Sequence, residues 1–97
     1  MRIISRRLLK EFWLKYPNSE RSLKAWYADI KHAVWKKPQD IKNVYQNASF
    51  LTHNRVVFNI KGNQYRLIVA INYDFEIVYL RFIGTHAAYD KINAMTI

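Results

Sequence analysis

The 97-residue sequence contains no cysteine, only two glycines and two prolines, and only 7 Asp plus Glu against 16 Lys plus Arg. The absence of cysteine excludes disulfide bonds, thiolate nucleophiles and zinc fingers. Two glycines are too few for a glycine-rich phosphate loop, which excludes nucleotide-dependent enzymes of that kind. No apolar run approaches the roughly 20 residues that span a bilayer, and the charged N-terminal stretch has no signal-peptide core. We therefore expect a cytosolic protein that does not engage a membrane.

The residues that are present favour a folded basic domain. Hydrophobic residues make up 51% of the chain and aromatic residues 15%, which is too apolar for a disordered basic tail. The length fits one domain spanning residues 1–97. The excess of positive side chains, a net charge of +9, attracts polyanions, so nucleic acid or an acidic protein is the expected partner.

The N-terminal half has the periodicity of helices. Met1–Ile4 alternates like a short edge strand, and Ser5 is expected to cap the helix that follows. Apolar residues recur every three or four positions over 6–16 and again over 23–34, on either side of a break at Pro17. So short a break predicts an antiparallel helical hairpin, with Asn18 or Ser19 capping its second helix.

A connector separates this hairpin from the second half of the chain. Pro38 is a favourable first residue for one helical turn that ends near Tyr45. Residues 46–54 are polar and are expected to form a loop.

The second half has the two-residue period of strands. Three strands are predicted at Arg55–Ile60, Gln64–Tyr73 and Glu76–Gly84, with two-residue turns at Gly62-Asn63 and Asp74-Phe75. Paired residue numbers then sum to 125 in the first hairpin and 149 in the second. This register puts apolar side chains on one sheet face, with these pairs: Val56–Val69, Phe58–Leu67, Val69–Leu80 and Leu67–Phe82.

The opposite sheet face is expected to be basic. Arg66 is predicted to lie opposite Asn59 and Ile83, with Arg55, Lys61 and Arg81 on the same face. Cations grouped on a small face repel one another unless an anion binds there, although a solvated face with scattered charges is an equally simple interpretation.

A short helical turn follows the last strand and carries further candidate residues. Thr85 is expected to cap this turn, which places His86, Tyr89 and Asp90 together. The three histidines fall in separate elements, and a His–carboxylate pair such as His86–Asp90 is more typical of a local hydrogen bond than of a metal site. We expect no metal and no cofactor.

Metal-free RNA cleavage needs few groups, and this chain has them. The 2′-hydroxyl must lose a proton, the phosphorane must be stabilised, and the leaving 5′-oxygen must gain a proton. Arginine and lysine suit the second task, and the imidazole of His86 transfers protons near neutral pH. Tyr89 could orient the substrate, stack on a base or assist proton transfer. The alternative for His86 is a helix-start residue that bonds the backbone.

Two segments resemble the HigB toxins, which belong to the RelE-like toxins of bacterial toxin–antitoxin systems. They are RVVFNIKGNQYRL at 55–67 and RFIGTHAAYD at 81–90, supported by AWY at 25–27 and WKKP at 35–38. The resemblance implies an α+β, RelE-like fold. In it, a short N-terminal strand and a helical hairpin pack on a three- to four-stranded, mainly antiparallel sheet, and a short helical turn ends the chain.

The same resemblance implies a ribosome-dependent mRNA interferase that cuts mRNA in the ribosomal A site. It implies neutralisation by a HigA-type antitoxin with a helix-turn-helix domain. RelE-like toxins carry a basic residue on the middle strand, where Arg66 stands, and several place a histidine or tyrosine after the last strand, as with His86 and Tyr89. The related YafQ toxins share the sequence Gly84-Thr85-His86.

These considerations give a predicted site. The predicted catalytic residues are Arg66, His86, Tyr89 and Lys61. The predicted RNA-binding residues are Arg55, Asn63, Arg81, Lys36, Lys37 and Lys42, of which the last three are expected to hold ribosomal RNA through its phosphates. Two alternatives stay open at this point: a non-catalytic basic module that binds nucleic acid, and a degenerate toxin that acts only with its antitoxin on an operator.

Overall fold

A computed structural model describes all 97 residues as helices packed on one five-stranded sheet with the order β1-β5-β4-β3-β2. β1 pairs in parallel with β5, and every other pairing is antiparallel. No helix has the length and apolar character that crossing a membrane requires. The elements are β1 (Arg2–Ile4), α1 (Arg7–Lys15), a 3₁₀ turn (Pro17–Ser19), α2 (Glu20–His32), α3 (Pro38–Val44), β2 (Ser49–Leu51), β3 (Arg55–Ile60), β4 (Tyr65–Asn72), β5 (Ile77–Thr85) and α4 (His86–Tyr89).

The predicted helices are present, but their caps differ from expectation. The residue before α1 is Arg6 rather than Ser5, and it makes no side-chain capping bond. Ser19 precedes α2, yet its Oγ donates to the Tyr16 carbonyl at 2.7 Å instead of accepting from the helix. The 3₁₀ turn runs directly into α2, and the Glu20 amide donates to the Pro17 carbonyl, so the start of this helix has less need of a side-chain cap.

The predicted loop at 46–54 is wrong in part, because it contains β2. This three-residue strand pairs Ser49 with Val57 and Leu51 with Arg55, at the edge of the sheet. The polar residues on either side of β2 give no strand pattern in the sequence, because β2 is stabilised mainly by its pairing with β3. β2 reaches only as far as Val57, so the last three residues of β3 have no partner strand on that side.

The predicted register of the first hairpin is confirmed. Val56 pairs with Val69, Phe58 with Leu67 and Ile60 with Tyr65. The Gln64 amide donates to the Lys61 carbonyl at 3.2 Å across the turn. Gly62 has φ 64°, which suits its predicted place as the first central residue, and Lys61 has φ 53°.

The second hairpin follows its predicted register only over half its length. Val69 pairs with Leu80, but Phe82 pairs with Ile68, and the residue between Leu80 and Phe82, Arg81, is left over as a β-bulge. The expected pairing of Phe82 with Leu67 is therefore wrong.

Beyond the bulge, each residue of β5 lies on the sheet face opposite to the one predicted for it. Ile83 pairs with Leu67 and enters the core, while Gly84 rather than Ile83 lies opposite Arg66. The turn also differs from expectation. It spans residues 73–76, with the left-handed conformation at Glu76 (φ 56°) rather than within a two-residue turn at Asp74-Phe75.

The main core lies between the helices and one sheet face, and includes Leu9, Trp26, Phe58 and Leu67. The opposite face is also covered at its centre, because three of its apolar side chains are buried: Val57, Ile68 and Ala70. At one end of that face the C-terminal residues return to the sheet, where Arg55 Nη2 donates to the Ile97 carbonyl at 2.8 Å. The sheet face predicted to be open and basic is therefore covered at its centre and at the end where the C-terminal residues return.

The packing predicts a contrast between two leucine-to-alanine substitutions. Leu67 is 0% exposed at the centre of the sheet, and Leu14 is 69% exposed on α1. We expect Leu67→Ala to lower the free energy of unfolding by about 2–5 kcal/mol, because it leaves a cavity. Leu14→Ala should change it by less than about 0.5 kcal/mol. Urea denaturation measures both, and equal losses would contradict this core.

Candidate active site

Arg66 is held on the sheet face by side-chain amides rather than by a carboxylate. Its Nη1 donates to Asn59 Oδ1 on the adjacent strand and to Asn63 Oδ1 in the turn, the latter at 3.0 Å. None of the three lysine or arginine ion pairs in the chain includes Arg66, and no carboxylate contacts its guanidinium. Its position is thus fixed while its charge is left without a counter-ion, which favours the binding of an anion from outside.

His86 lies directly beside this guanidinium. Arg66 Nη2 and His86 Nε2 are 2.9 Å apart, and an arginine nitrogen can only donate, so Nε2 is the acceptor. The imidazole proton is then on Nδ1, which lies 3.5 Å from Asp90 Oδ2. Asp90 is thus placed to favour this neutral tautomer, whose Nε2 lone pair accepts the hydrogen bond from Arg66.

Tyr89 completes the cluster from the same helical turn. The Arg66 Cζ atom lies 5.9 Å from the centre of the Tyr89 ring, within the range of a cation–π contact. Thr85 begins this turn as predicted, because its Oγ1 accepts from the Ala88 amide at 3.2 Å. The cap fixes where α4 starts, and so where His86 and Tyr89 leave the sheet.

The bulge in β5 places an aromatic ring next to the site. Phe82 is turned away from the main core, and its ring lies over Gly84, the residue opposite Arg66. A Cβ added at Gly84 would lie 2.5 Å from the Phe82 Cζ atom, closer than real Cβ contacts. A side chain at position 84 would therefore have to displace the Phe82 ring.

Comparison with known proteins identifies the family of this chain. A sequence model of the HigB toxins, described as the RelE-like toxic component of a toxin–antitoxin system, matches residues 19–92. The chain belongs to the HigB toxin family. It is 31% identical over 98 residues to a protein of Escherichia coli K12 named mRNA interferase toxin HigB, and the match covers 98% of this chain and 93% of that protein.

Two further relatives give the same result. A protein of Shigella flexneri named mRNA interferase HigB is 31% identical, again over 98% of this chain and 93% of the relative. A protein of the same name from Escherichia coli O6:H1 is 32% identical over 95 residues, covering 96% of this chain and 92% of the relative. The α+β fold with its five-stranded sheet agrees with a RelE-like toxin.

In this HigB-family chain, four of the predicted site residues come together: Arg66, His86, Tyr89 and Asn63. Lys61 lies in the adjoining turn and has no side-chain bond to them. Arg81 is the bulge residue, and its guanidinium lies 5.6 Å from the Tyr79 ring centre. Arg55 stands four residues from Asn59 along β3, about 13 Å away, where it binds the carbonyls of His53 and Ile97.

The three predicted lysines form a separate group around α3. Lys36 forms an exposed ion pair with Glu76 at 3.4 Å, just before β5 begins. His86 follows the other end of this nine-residue strand, about 30 Å away. Lys42, within α3, donates to the Ala48 carbonyl at 3.0 Å, and Lys37 immediately precedes α3 with no side-chain partner. None of the three contacts the Arg66 cluster.

Three residues at or beside this site were not among the predicted catalytic and RNA-binding residues. Asn59 was predicted to lie opposite Arg66, but its role as a hydrogen-bond partner needed the side-chain geometry. Asp90 was expected to contact His86 because of its four-residue spacing, and the two side chains lie 3.5 Å apart. Phe82 had no signal in the sequence, because only the bulge places it on the sheet face of Arg66, with its ring over Gly84.

The contact between Gly84 and Phe82 predicts a coupled pair of substitutions. Gly84→Ala should lower the free energy of unfolding by about 1–3 kcal/mol, because the new methyl group collides with the ring. In a chain that already carries Phe82→Leu, Gly84→Ala should cost much less free energy of unfolding, because the smaller leucine side chain can move aside. A double-mutant cycle by urea denaturation measures this coupling, and strictly additive losses would show that the ring does not rest on Gly84.

Proposed function

We propose that this chain is a toxin endoribonuclease that cleaves mRNA on the ribosome, through attack by the RNA's own 2′-hydroxyl and without a metal ion. The observation that carries the proposal is the 2.9 Å contact between His86 Nε2 and the guanidinium of Arg66, a cation without a carboxylate partner. A proton-transfer group and a phosphate-binding group thus stand side by side. Membership of the HigB toxins and the names of the relatives support the same activity.

Each step of the reaction has a group to serve it. When the phosphate binds, Arg66 turns its Nη2 from His86 to the non-bridging oxygens, where negative charge builds up in the phosphorane. This frees the Nε2 lone pair of His86, which accepts the proton of the 2′-hydroxyl while the 2′-oxygen forms a bond to phosphorus. The bond from phosphorus to the 5′-oxygen breaks, and the Tyr89 hydroxyl supplies that oxygen with a proton.

Neighbouring residues hold the RNA in place for this reaction. The hydrogen bond to Asn63 holds the Arg66 guanidinium in its orientation, and Lys61 in the same turn attracts the adjacent phosphate. Asp90 faces Nδ1 of His86 and so favours the tautomer whose Nε2 can accept a proton. Asp90 is in this sense a positioning residue rather than a catalytic one.

The remaining basic residues extend the binding surface toward ribosomal RNA. Arg55 and Arg81 belong to the same sheet face as Arg66, and Lys36, Lys37 and Lys42 surround α3. A net charge of +9 attracts the phosphates of mRNA and ribosomal RNA over this whole area. The reaction so described takes place in the cytosol, where ribosomes translate.

The toxin–antitoxin family implies an antitoxin as a protein partner. We assign a HigA-type antitoxin to this role, and the basic surface favours a partner that presents acidic residues.

Substitution of the two central residues tests the proposed chemistry. His86→Ala should lower cleavage by about 10²–10⁴-fold through loss of proton transfer. Arg66→Ala should lower it by about 10²–10³-fold through loss of charge stabilisation. Mapping mRNA 5′ ends after induction, with and without active translation, measures both, and co-purification with the antitoxin checks that each variant folds.

Two exposed residues at the opposite end of the sheet provide matched controls. His32 ends α2, and Arg2 pairs with Ile77 at the start of β5, nine residues before His86. His32→Ala and Arg2→Ala make the same chemical changes there and should leave cleavage unchanged. Full cleavage by His86→Ala would remove His86 from the mechanism. If the wild-type chain binds RNA with a steep salt dependence but produces no cuts, the chain is a non-catalytic binding module instead.

A further inference from the structure

An open cleft lies beside the proposed catalytic cluster, where α4, the residues that follow it and β2 meet. Its volume is about 460 Å³, within the range of about 300–1,000 Å³ that is typical of small-molecule sites. Tyr89 and Asp90 line the cleft and also belong to the cluster around Arg66 and His86. The rest of the wall consists of Asn93 and four apolar residues: Leu51, Ile92, Ala94 and Met95.

Hydrogen bonds hold the segment after α4 in the shape that forms this wall. Asn93 Oδ1 accepts from the Met95 amide at 3.0 Å, and the Asn93 carbonyl accepts from the Ile97 amide at 3.1 Å. Two further contacts tie the segment to the sheet side of the chain. Thr52 Oγ1 donates to Met95 Sδ at 3.1 Å, and Arg55 Nη2 donates to the Ile97 carbonyl. The cleft is therefore preorganised, which lowers the cost of binding a ligand there.

The chemistry of the wall suits a nucleobase. Its apolar side chains provide a surface on which the flat face of a base can be buried. Because the Asn93 side-chain oxygen accepts from the Met95 amide, its NH₂ group is left to donate to the edge of the base. All four bases carry a carbonyl oxygen or a ring nitrogen that can accept, so we expect the cleft to bind each of them.

The position of Tyr89 indicates which base of the RNA lies in the cleft. In the proposed reaction Tyr89 protonates the 5′-oxygen, which belongs to the nucleotide downstream of the cleaved bond. The phosphate on that oxygen is held by Arg66, whose Cζ atom lies 5.9 Å from the Tyr89 ring centre. Since Tyr89 also lines the cleft, the downstream nucleotide is the one whose base can reach it.

We propose that this cleft binds the base of the nucleotide immediately downstream of the cleaved bond. The inference rests on the proposed function, which supplies the RNA and the role of Tyr89. A mononucleotide with a 5′-phosphate reproduces this arrangement, because its phosphate can bind at Arg66 while its base enters the cleft.

Nuclear magnetic resonance of the methionine methyl groups gives a direct test, because the chain has only Met1 and Met95. Met1 is a built-in reference far from the cleft, since its amino group donates to the Ala33 carbonyl at 2.7 Å, beyond the end of α2. The probes are adenosine 5′-monophosphate, ribose 5-phosphate, which has the same phosphate without a base, and 2′-deoxyadenosine 3′-monophosphate, whose phosphate is on the other side of the sugar.

We expect adenosine 5′-monophosphate to shift the Met95 signal through the ring current of its base and to leave the Met1 signal in place. It should bind about tenfold more tightly than ribose 5-phosphate, because burial of about 60 Å² of the base is sufficient for that factor. The 3′-monophosphate should shift the Met95 signal less, since its base lies on the upstream side of the phosphate.

Variants separate the base site from the phosphate site. Ile92→Ala removes part of the apolar wall and should lose most of the preference for adenosine 5′-monophosphate over ribose 5-phosphate. Met95→Ala, at a more exposed position, should do the same when calorimetry measures the affinities. Leu14→Ala shortens an exposed apolar side chain on α1 and should keep the preference. Arg66→Ala should weaken both compounds by a similar factor, because both carry the phosphate.

Two results would overturn the proposal: equal affinities for adenosine 5′-monophosphate and ribose 5-phosphate, or a Met95 shift that is larger with the 3′-monophosphate. Neither depends on cleavage. A preference for the base in a chain that cuts no RNA would therefore retain the base site and reject the nuclease.

Discussion

The bulge at Arg81 is the constraint on which the proposed site depends. It lengthens β5 by one residue relative to β4, after the pairing of Val69 with Leu80. Ile83 thereby enters the core and Gly84 comes to lie opposite Arg66, two residues before His86. Side chains alternate along a strand, so without the extra residue Ile83 would lie on the face of Arg66 and Gly84 would lie on the core face.

The electrostatics of the site follow from which partners Arg66 has. Two amide oxygens fix the guanidinium without neutralising it, and a neutral imidazole accepts its third hydrogen bond. This arrangement keeps a full positive charge at the surface of a chain that is already strongly basic. A phosphate that arrives can therefore replace weak neutral partners rather than compete with a carboxylate, which makes the bound state favourable.

Most of the architecture could be predicted from the sequence, because periodicity records which side chains face the core. The α1–α2 hairpin, the β3–β4 register and the capped turn at Thr85 all follow from local patterns. β2 and the bulge could not be predicted in this way, since neither leaves a periodic signal and both depend on pairing between strands. The same limit applied to the site. Arg66, His86 and Tyr89 are candidates from chemistry and family resemblance, while Asn59 and Phe82 needed the three-dimensional neighbourhood.

Analysis of the RNA ends tests most directly whether Arg66 and His86 serve internal attack by a 2′-hydroxyl. Such attack joins the 2′-oxygen to phosphorus and releases the 5′-oxygen. We therefore predict a 2′,3′-cyclic phosphate on the upstream fragment and a 5′-hydroxyl on the downstream one, in mRNA cut within translated codons. A 2′-deoxynucleotide at the cleaved position should block the cut. Fragments with a 3′-hydroxyl and a 5′-phosphate, or cleavage that tolerates the missing 2′-hydroxyl, would contradict the mechanism.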